Sequence, residues 1–469
     1  MNVMGLLELF AAIGRYLPST PKPKRKVSLS RRLVYTGIAV GIFVALASTP
    51  LYGIEKAGLG LGPFSPFLAI VFAMQQGTLA QLGIGPIVDA GIILQILVGA
   101  KFLDLDLTDP EDRRLFTLAE KGLAMVIAII MALGYVITNR IFWPITTPPL
   151  WVRVVVLLQL IWGFILILFM DEAIQKGWGI GSGISLFILT GVARRVFTDI
   201  FSPFTVPVGD VQEPVGFIPY VIQRSLKGEP LLEDMLIRFR EPLRMTMPNL
   251  IGFVTTITLI GVLAYLQAAK IYVPITSSRY HGIRSRVPLQ LLYVSNIPVL
   301  LSSILFSNIA VFSSILAANP SFSGIASTLN HYFRTPPNLF TLMYDPGKFV
   351  VYTITFFAFS ILFGFAWVEI GGLSPEVQAE QLVKSGLEIP GMRRNPKILT
   401  QYLARYIYPL ALLSTLIVVV IALIGDIFFT YGSGVGLLLG VGIVYNYYRI
   451  LAYEQTLEMY PTLKRFLGE

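Results

Sequence analysis

Apolar residues in this chain occur in long uninterrupted blocks, and these blocks limit the possible folds more than any other feature. A helix of roughly 20 residues rises about 1.5 Å per residue and therefore crosses a hydrocarbon core about 30 Å thick. Membrane-spanning β-strands would be about half that length and would alternate apolar with polar residues. The blocks predict an all-α membrane protein with ten transmembrane helices, at about 33–52, 84–100, 116–138, 151–170, 182–200, 249–268, 290–312, 349–371, 406–425 and 433–451.

The composition excludes a soluble enzyme and several kinds of site chemistry. Only 13% of the 469 residues are charged and 55% are hydrophobic, whereas soluble domains carry about 25% charged residues. The chain has no cysteine and two histidines. Disulfides, thiol nucleophiles, zinc–thiolate sites and histidine-rich metal centres are therefore excluded, and we expect no cofactor.

The distribution of basic residues predicts the orientation. With the N-terminus in the cytosol, about two thirds of the 36 Lys and Arg residues fall on the cytosolic side, as the positive-inside rule requires. Ten spans then place both termini in the cytosol. The predicted organisation is a cytosolic amphipathic and basic segment at 1–32, an N-terminal half at 33–200, an external loop at 201–248, a C-terminal half at 249–451 with cytosolic loops at about 270–288 and 373–405, and a cytosolic tail at 452–469.

A short apolar stretch lies between the first two spans, within residues 58–83, and is bounded by glycines and prolines. It is too short to span and is typical of a re-entrant or interfacial helix. Irregular backbone at membrane depth persists only where it is buried in protein or lines a cavity. This segment therefore predicts a cavity that opens to the outside.

Glycine and proline interrupt corresponding spans of the two five-span halves. Pro86 and Pro298 lie near the starts of the second and seventh spans, and glycine runs at 179–183 and 432–436 open the fifth and tenth. Such paired interruptions mark the functional axis of repeat-built transporters, although glycines can also simply permit close helix packing. Either interpretation places spans 2, 5, 7 and 10 at the centre.

The residues alone leave two functional classes of membrane protein open, a secondary transporter and a membrane-embedded protease. A secondary transporter with an inverted-repeat fold would need ionisable groups at mid-membrane, and of Asp89, Glu369 and Asp426 only Asp89 lies well within a lining helix. Asp89 is equally explained by a helix-terminus or inter-helix hydrogen bond. A membrane-embedded protease would need Ser182 paired with a distant histidine, or Asp89 paired with Asp426, so we do not expect an enzyme.

Four segments occur in order at the expected spans: GIGPIVDAGIILQILVGAK, GIGSGISLFILTG, YVSNIPVLLSSILFSN and AWVEIGGLSPEVQAEQL. They resemble the SecY / Sec61-alpha protein translocation channel family, in its archaeal type, and the resemblance covers nearly the whole chain. It implies two inverted five-helix halves around a central hourglass pore with a short plug helix. It also implies a cell-membrane channel that passes unfolded polypeptides across the membrane and releases transmembrane segments laterally into lipid.

The resemblance assigns an apolar pore ring to spans 2, 5, 7 and 10 and a plug to residues 64–76. A narrow apolar constriction excludes water and ions, whereas ordinary helix packing is the alternative role for each ring residue. The assigned ring residues are Ile84, Val88, Ile184, Ile188, Leu300 and Leu439, with Leu437 and Leu438 adjoining the last; the plug residues are Phe64, Phe67, Leu68, Ile70, Val71 and Phe72.

The resemblance also implies a lateral gate between spans 2–3 and 7–8, with Asp89, Gln95 and Asn308 as its polar residues. The sequence departs from the family pattern because Asp89 replaces a residue that is often a small hydroxyl, and Met131 stands where an acid can occur.

The implied partners are SecE-type and Sec-beta/SecG-type small membrane subunits, the ribosome, signal sequences, nascent polypeptides and membrane lipid. Ribosomal RNA phosphates would contact Arg284, Arg286, Arg393 and Arg394. Topology-setting charge is an equally good interpretation of any single one of these arginines.

Overall fold

A computed structural model gives the structure of most of the chain. It describes residues 3–25, 27–54, 73–99, 102–103, 105, 109–138, 142–143, 148–208, 211–228, 235–240, 245–277, 283–316, 320–333, 336–384, 387–388 and 396–459. The six predicted plug residues, together with Arg393 and Arg394, lie outside these ranges. The chain divides into two compact units, a first unit of Met1–Ala193 with Ile443–Glu469 and a second unit of Arg194–Gly442.

The described part of the chain is mainly helical. The helices are α1 (Val3–Tyr16), α2 (Leu29–Ser48), α3 (Gly85–Gly99), α4 (Pro110–Thr138), α5 (Leu150–Ala173), α6 (Gly183–Phe201), α7 (Phe217–Lys227), α8 (Leu250–Ala268), α9 (Ile297–Leu316), α10 (Ser323–Phe333), α11 (Leu339–Tyr344), α12 (Pro346–Ile370), α13 (Pro375–Lys384), α14 (Pro396–Ile427) and α15 (Gly434–Met459). The strands are β1 (Thr205–Val208), β2 (Val211–Pro214), β3 (Arg238–Arg240), β4 (Met245–Met247), β5 (Lys270–Ser277), β6 (Ile283–Gln290) and β7 (Leu387–Glu388).

A described helix occurs at each predicted span. Seven of them, within α2, α4, α5, α8, α12, α14 and α15, are long and apolar enough to cross a membrane. The apolar parts of α3 and α9 are shorter, and α6 carries Arg194, Arg195 and Asp199 near its end. α14 begins at Pro396, so the predicted cytosolic loop at 373–405 contains α13 and the first turns of α14.

In the first unit, α1 crosses α4 with their backbones in close contact. A side chain at Gly14 would collide with the carbonyl oxygen of Leu118, and one at Gly122 would collide with that of Phe10. Small residues at a crossing allow such an approach. The Lys121 ammonium also donates to the carbonyl oxygen of Pro18 at 2.7 Å, so the predicted amphipathic segment is bound to the third span.

In the second unit, side-chain caps define where spans begin. Asn249 accepts a hydrogen bond from the Gly252 amide at the start of α8, and Asp345 accepts one from the Lys348 amide at the start of α12. Both satisfy donors that a helix leaves unpaired at its N-terminus. α9, α12 and α14 pack on one another in this unit.

Among the described residues of the second unit, three small antiparallel sheets lie outside the spans. The predicted external loop contains α7 and two hairpins, β1–β2 and β3–β4. The third sheet has the order β6-β5-β7. In it, Thr276 of β5 pairs with Glu388 of β7, so the two predicted cytosolic loops are joined in one sheet.

Candidate pore and gate residues

Ile84 and Val88, which the resemblance assigns to the pore ring, lie at the start of α3. Ile84 directly precedes the helix and is fully buried, whereas Val88 is half-buried. The Val88 amide donates to the Ile84 carbonyl oxygen at 3.1 Å. The two residues are therefore one helical turn apart, and their side chains share a face of the helix.

Ile184 and Ile188 occupy the same relation on α6, and the end of α5 determines where this helix begins. The Asp171 carboxylate accepts a hydrogen bond from the Ile184 amide at 3.0 Å, and a side chain at Gly183 would collide with Asp171. Ile188 is buried and Ile184 is half-buried. The sequence analysis missed Asp171 because it stands at the end of an apolar block, and its only sequence signal is the glycine-rich turn that follows.

The turn that precedes α6 also contacts the first and last spans within the first unit. The Thr36 hydroxyl of α2 accepts a hydrogen bond from the Ile180 amide at 3.0 Å. The Tyr447 hydroxyl of α15 donates to the Ser182 carbonyl oxygen at 2.9 Å. The turn before α6 is therefore bonded from several sides.

Leu300 and Leu439 lie on two helices of the second unit that Asn296 joins. The buried Asn296 amide donates to the Leu438 carbonyl oxygen at 3.0 Å, and the Leu300 amide donates to the Asn296 carbonyl oxygen at 3.0 Å. Leu439 is buried, as are Leu437 and Leu438 beside it. Burial therefore does not by itself distinguish Leu439 from its neighbours as the ring residue.

The predicted gate residues are polar positions on α3 and α9. Asp89 and Gln95 are half-buried on α3, and Asn308 is exposed on α9. The Glu120 carboxylate of α4 lies so close to Gly91 that a side chain there would meet it at 2.7 Å. The third span therefore does carry an acid beside α3, which is Glu120. The sequence analysis missed it because it considered only position 131, where this chain has Met131.

The third sheet carries the described part of the predicted ribosome contact. Arg284 and Arg286 stand two positions apart on β6, where their backbones pair with Thr276 and Pro274 of β5. β6 is an edge strand of this sheet. The sheet therefore presents both arginine positions at its edge.

Comparisons with known proteins agree on one family. The SecY family model matches residues 78–448. The chain is 44% identical to the protein translocase subunit SecY of Saccharolobus solfataricus, over 99% of this chain and 100% of that protein. A solved structure described as "The structure of a protein conducting channel" is similar with a TM-score of 0.75 and 28% identity, covering 98% of this chain and 99% of that one. Sec61 in the canine ribosome-channel complex from the endoplasmic reticulum is similar with a TM-score of 0.73 and 27% identity, covering 98% and 99%.

Proposed function

The chain belongs to the SecY family, and we propose that it is the pore-forming subunit of a Sec protein translocation channel in the cell membrane. The observation that carries this proposal is the 44% identity to a SecY translocase subunit over nearly the full length of both chains. The channel passes unfolded polypeptides outward and releases transmembrane segments into lipid. This role requires no catalytic residue in the chain.

The side chains of the proposed constriction have no hydrogen-bonding groups, and this property explains how the constriction would act. Aliphatic side chains offer no hydrogen bonds, so a narrow ring of them excludes water and ions. For the same reason the ring does not select one peptide sequence over another. The proposed ring residues are Ile84, Val88, Ile184, Ile188, Leu300 and Leu439.

Lateral release follows from the partition of apolar segments. A transiting segment of about 20 apolar residues is more stable in lipid than in an aqueous pore. We assign the polar gate positions to Asp89, Gln95 and Asn308. The two spans on one side of the proposed gate are hydrogen-bonded to each other, because the Ser360 hydroxyl of α12 donates to the Ser302 hydroxyl of α9 at 2.9 Å.

The driving force must come from a partner, and the proposed partner is the translating ribosome. A channel of the same fold has been described in a ribosome complex, and cationic side chains bind RNA phosphates. We propose that Arg284, Arg286, Arg393 and Arg394 contact ribosomal RNA from the cytosolic side, with both termini also in the cytosol. SecE-type and Sec-beta/SecG-type small membrane subunits complete the proposed complex.

Site-specific crosslinking tests the function and the pore together. The chain has no cysteine, so Ile84→Cys or Ile188→Cys introduces the only thiol. Leu158 on α5 is 60% exposed and supplies the control Leu158→Cys. A ribosome-stalled hydrophilic nascent chain with a thiol-reactive probe should crosslink at positions 84 and 188 but not at 158. Crosslinks confined to position 158 would contradict the pore assignment, and no crosslink at any position would contradict the channel function.

A further inference from the structure

The turns that precede α6 and α15 have the same sequence, Gly-Ser-Gly, at 181–183 and 432–434. The first glycine of each turn has a left-handed backbone, with φ of +71° at Gly181 and +76° at Gly432. Residues that carry a Cβ atom rarely adopt this backbone conformation. The fifth helix of each half therefore starts from a turn with the same conformation at the same glycine.

In the first half, two side chains from other spans bind this turn. The Thr36 hydroxyl of α2 donates to the Arg32 carbonyl oxygen at 2.8 Å and accepts from the Ile180 amide at 3.0 Å. The Asp171 carboxylate at the end of α5 accepts from the Ile184 amide at 3.0 Å. The first and fourth spans thus each supply one acceptor to the start of the fifth.

In the second half the same residue types make corresponding contacts, although the partner of the aspartate lies one position earlier: Ile184 follows the first turn, whereas Gly434 is the last residue of the second. The Thr256 hydroxyl of α8 donates to the Gly252 carbonyl oxygen at 2.6 Å and accepts from the Tyr431 amide at 3.0 Å. The Asp426 carboxylate at the end of α14 accepts from the Gly434 amide at 2.8 Å. The sixth and ninth spans therefore supply the acceptors to the start of the tenth.

The correspondence extends to the register. Ile180 and Tyr431 each stand directly before the Gly-Ser-Gly turn, and each threonine lies in the first span of its half. We name the pair Thr36 and Asp171 the first Thr–Asp clamp, and the pair Thr256 and Asp426 the second. The two halves agree in residue types, in span numbers and in the position of the threonine's partner, and they differ by one position in the aspartate's partner.

We propose that the two Thr–Asp clamps fix the N-terminal ends of α6 and α15 and so keep the apolar constriction closed. The inference rests on the proposed channel function, because it concerns helices assigned to the pore. Ile184 directly follows the first turn, and Leu439 lies about one turn and a half into α15. Displacement of either helix start relative to the spans that bind it breaks these hydrogen bonds, of which the one between Thr256 and Tyr431 is buried and the other three are partly buried. Thr36, Asp171, Thr256 and Asp426 are accordingly positioning residues.

The test compares variants that remove or retain one acceptor oxygen. Thr36→Val and Thr256→Val keep the side-chain shape and lose the hydroxyl, whereas Thr36→Ser and Thr256→Ser keep it. The complex with its small subunits is incorporated into planar bilayers, and its ion conductance is measured without substrate. Loss of one of these hydrogen bonds should raise the resting conductance roughly fivefold by shifting a closed–open equilibrium. The serine variants should restore the wild-type conductance.

Thr255→Val is the matched control for loss of a threonine hydroxyl. The Thr255 hydroxyl donates to the Ile251 carbonyl oxygen of its own helix, one position from Thr256. Thr255→Val should leave the resting conductance unchanged, and equal conductance for this variant and Thr256→Val would overturn the inference. Asn249→Ala removes a buried cap from α8, a helix without ring residues, and should lower the unfolding temperature without raising the conductance.

Transport by the wild-type complex separates failure of the inference from failure of the proposed function. Wild-type vesicles that protect no secretory substrate from protease would contradict the channel function. Wild-type vesicles that protect it, together with valine variants of wild-type conductance, would overturn only the role of the Thr–Asp clamps. The aspartate of the first clamp is tested in the same way. Asp171→Ala removes the acceptor oxygen and should raise the conductance, whereas Asp171→Asn keeps an acceptor oxygen and should give a near-normal conductance.

Discussion

The side-chain amide of Asn296 donates a hydrogen bond of 3.0 Å to the main-chain carbonyl oxygen of Leu438. Asn296 directly precedes α9, which carries Leu300 one turn further on, and Leu438 adjoins Leu439 on α15. Both partners of this hydrogen bond are buried. The seventh and tenth spans are thus bonded at the level of their assigned ring residues.

Asn296→Ala should destabilise the second unit and increase the resting ion conductance. Removal of the amide leaves a buried carbonyl oxygen without this donor, which costs about 1–3 kcal/mol. Gly442→Ala tests the same contact from the other side, because its Cβ would lie 2.5 Å from the Asn296 amide nitrogen. Thermal unfolding of the detergent-purified complex measures the stability, and planar-bilayer recording measures the conductance. Asn446 is exposed on α15, and a similar effect of Asn446→Ala would contradict the prediction.

Gly14→Leu should detach α1 from α4. The two backbones touch at Gly14 and Gly122, and a large side chain at such a contact typically costs about 1–3 kcal/mol or more. The N-terminal segment should then be cleaved faster in limited proteolysis with trypsin. Gly5 lies on the same helix with open space around it, so Gly5→Leu should retain the wild-type cleavage rate. Equal rates for the two variants would show that the crossing does not secure α1.

Arg238→Met should locally unfold the two hairpins β1–β2 and β3–β4. The Arg238 guanidinium lies 3.5 Å from the centre of the Tyr220 ring and donates to Glu213 at 3.3 Å and to the Pro214 carbonyl oxygen at 2.9 Å. Burial lowers the pKa of Arg238, and the charges of Tyr220 and Glu213 oppose that shift. Breaking a buried pair typically costs about 3–5 kcal/mol. Hydrogen exchange over residues 205–247 should therefore accelerate.

The matched control for Arg238→Met is an exposed ion pair. The Lys384 side chain is 79% exposed and lies 3.6 Å from Glu380. Exposed pairs contribute about 0–1 kcal/mol, so Lys384→Met should leave exchange over 205–247 unchanged. Unaltered exchange in Arg238→Met would mean that the guanidinium does not organise these two hairpins.

The sequence predicts the positions of the helices better than it predicts the contacts between them. Length and hydropathy indicate which segments can cross the membrane. Paired glycines and prolines predict which of these helices lie at the centre. Asp171 and Glu120 were missed because each lies in or beside an apolar block, and its partner becomes evident only after the helices pack. The pairing of Thr276 with Glu388 joins segments more than 100 residues apart, and strand pairing at that distance has no local sequence signal.

Charge reversal on β6 should weaken ribosome binding in a salt-dependent way. Arg284 and Arg286 lie on the edge strand of the third sheet, and a lost phosphate contact lowers the slope of log affinity against log salt by about 1. Arg284→Glu and Arg286→Glu should therefore each reduce both affinity and slope in cosedimentation of vesicles with ribosomes. Lys384→Glu reverses an exposed charge on neighbouring α13 and should leave the slope unchanged. If Lys384→Glu lowered the slope equally, general cytosolic charge would explain the binding and β6 would not be its contact site.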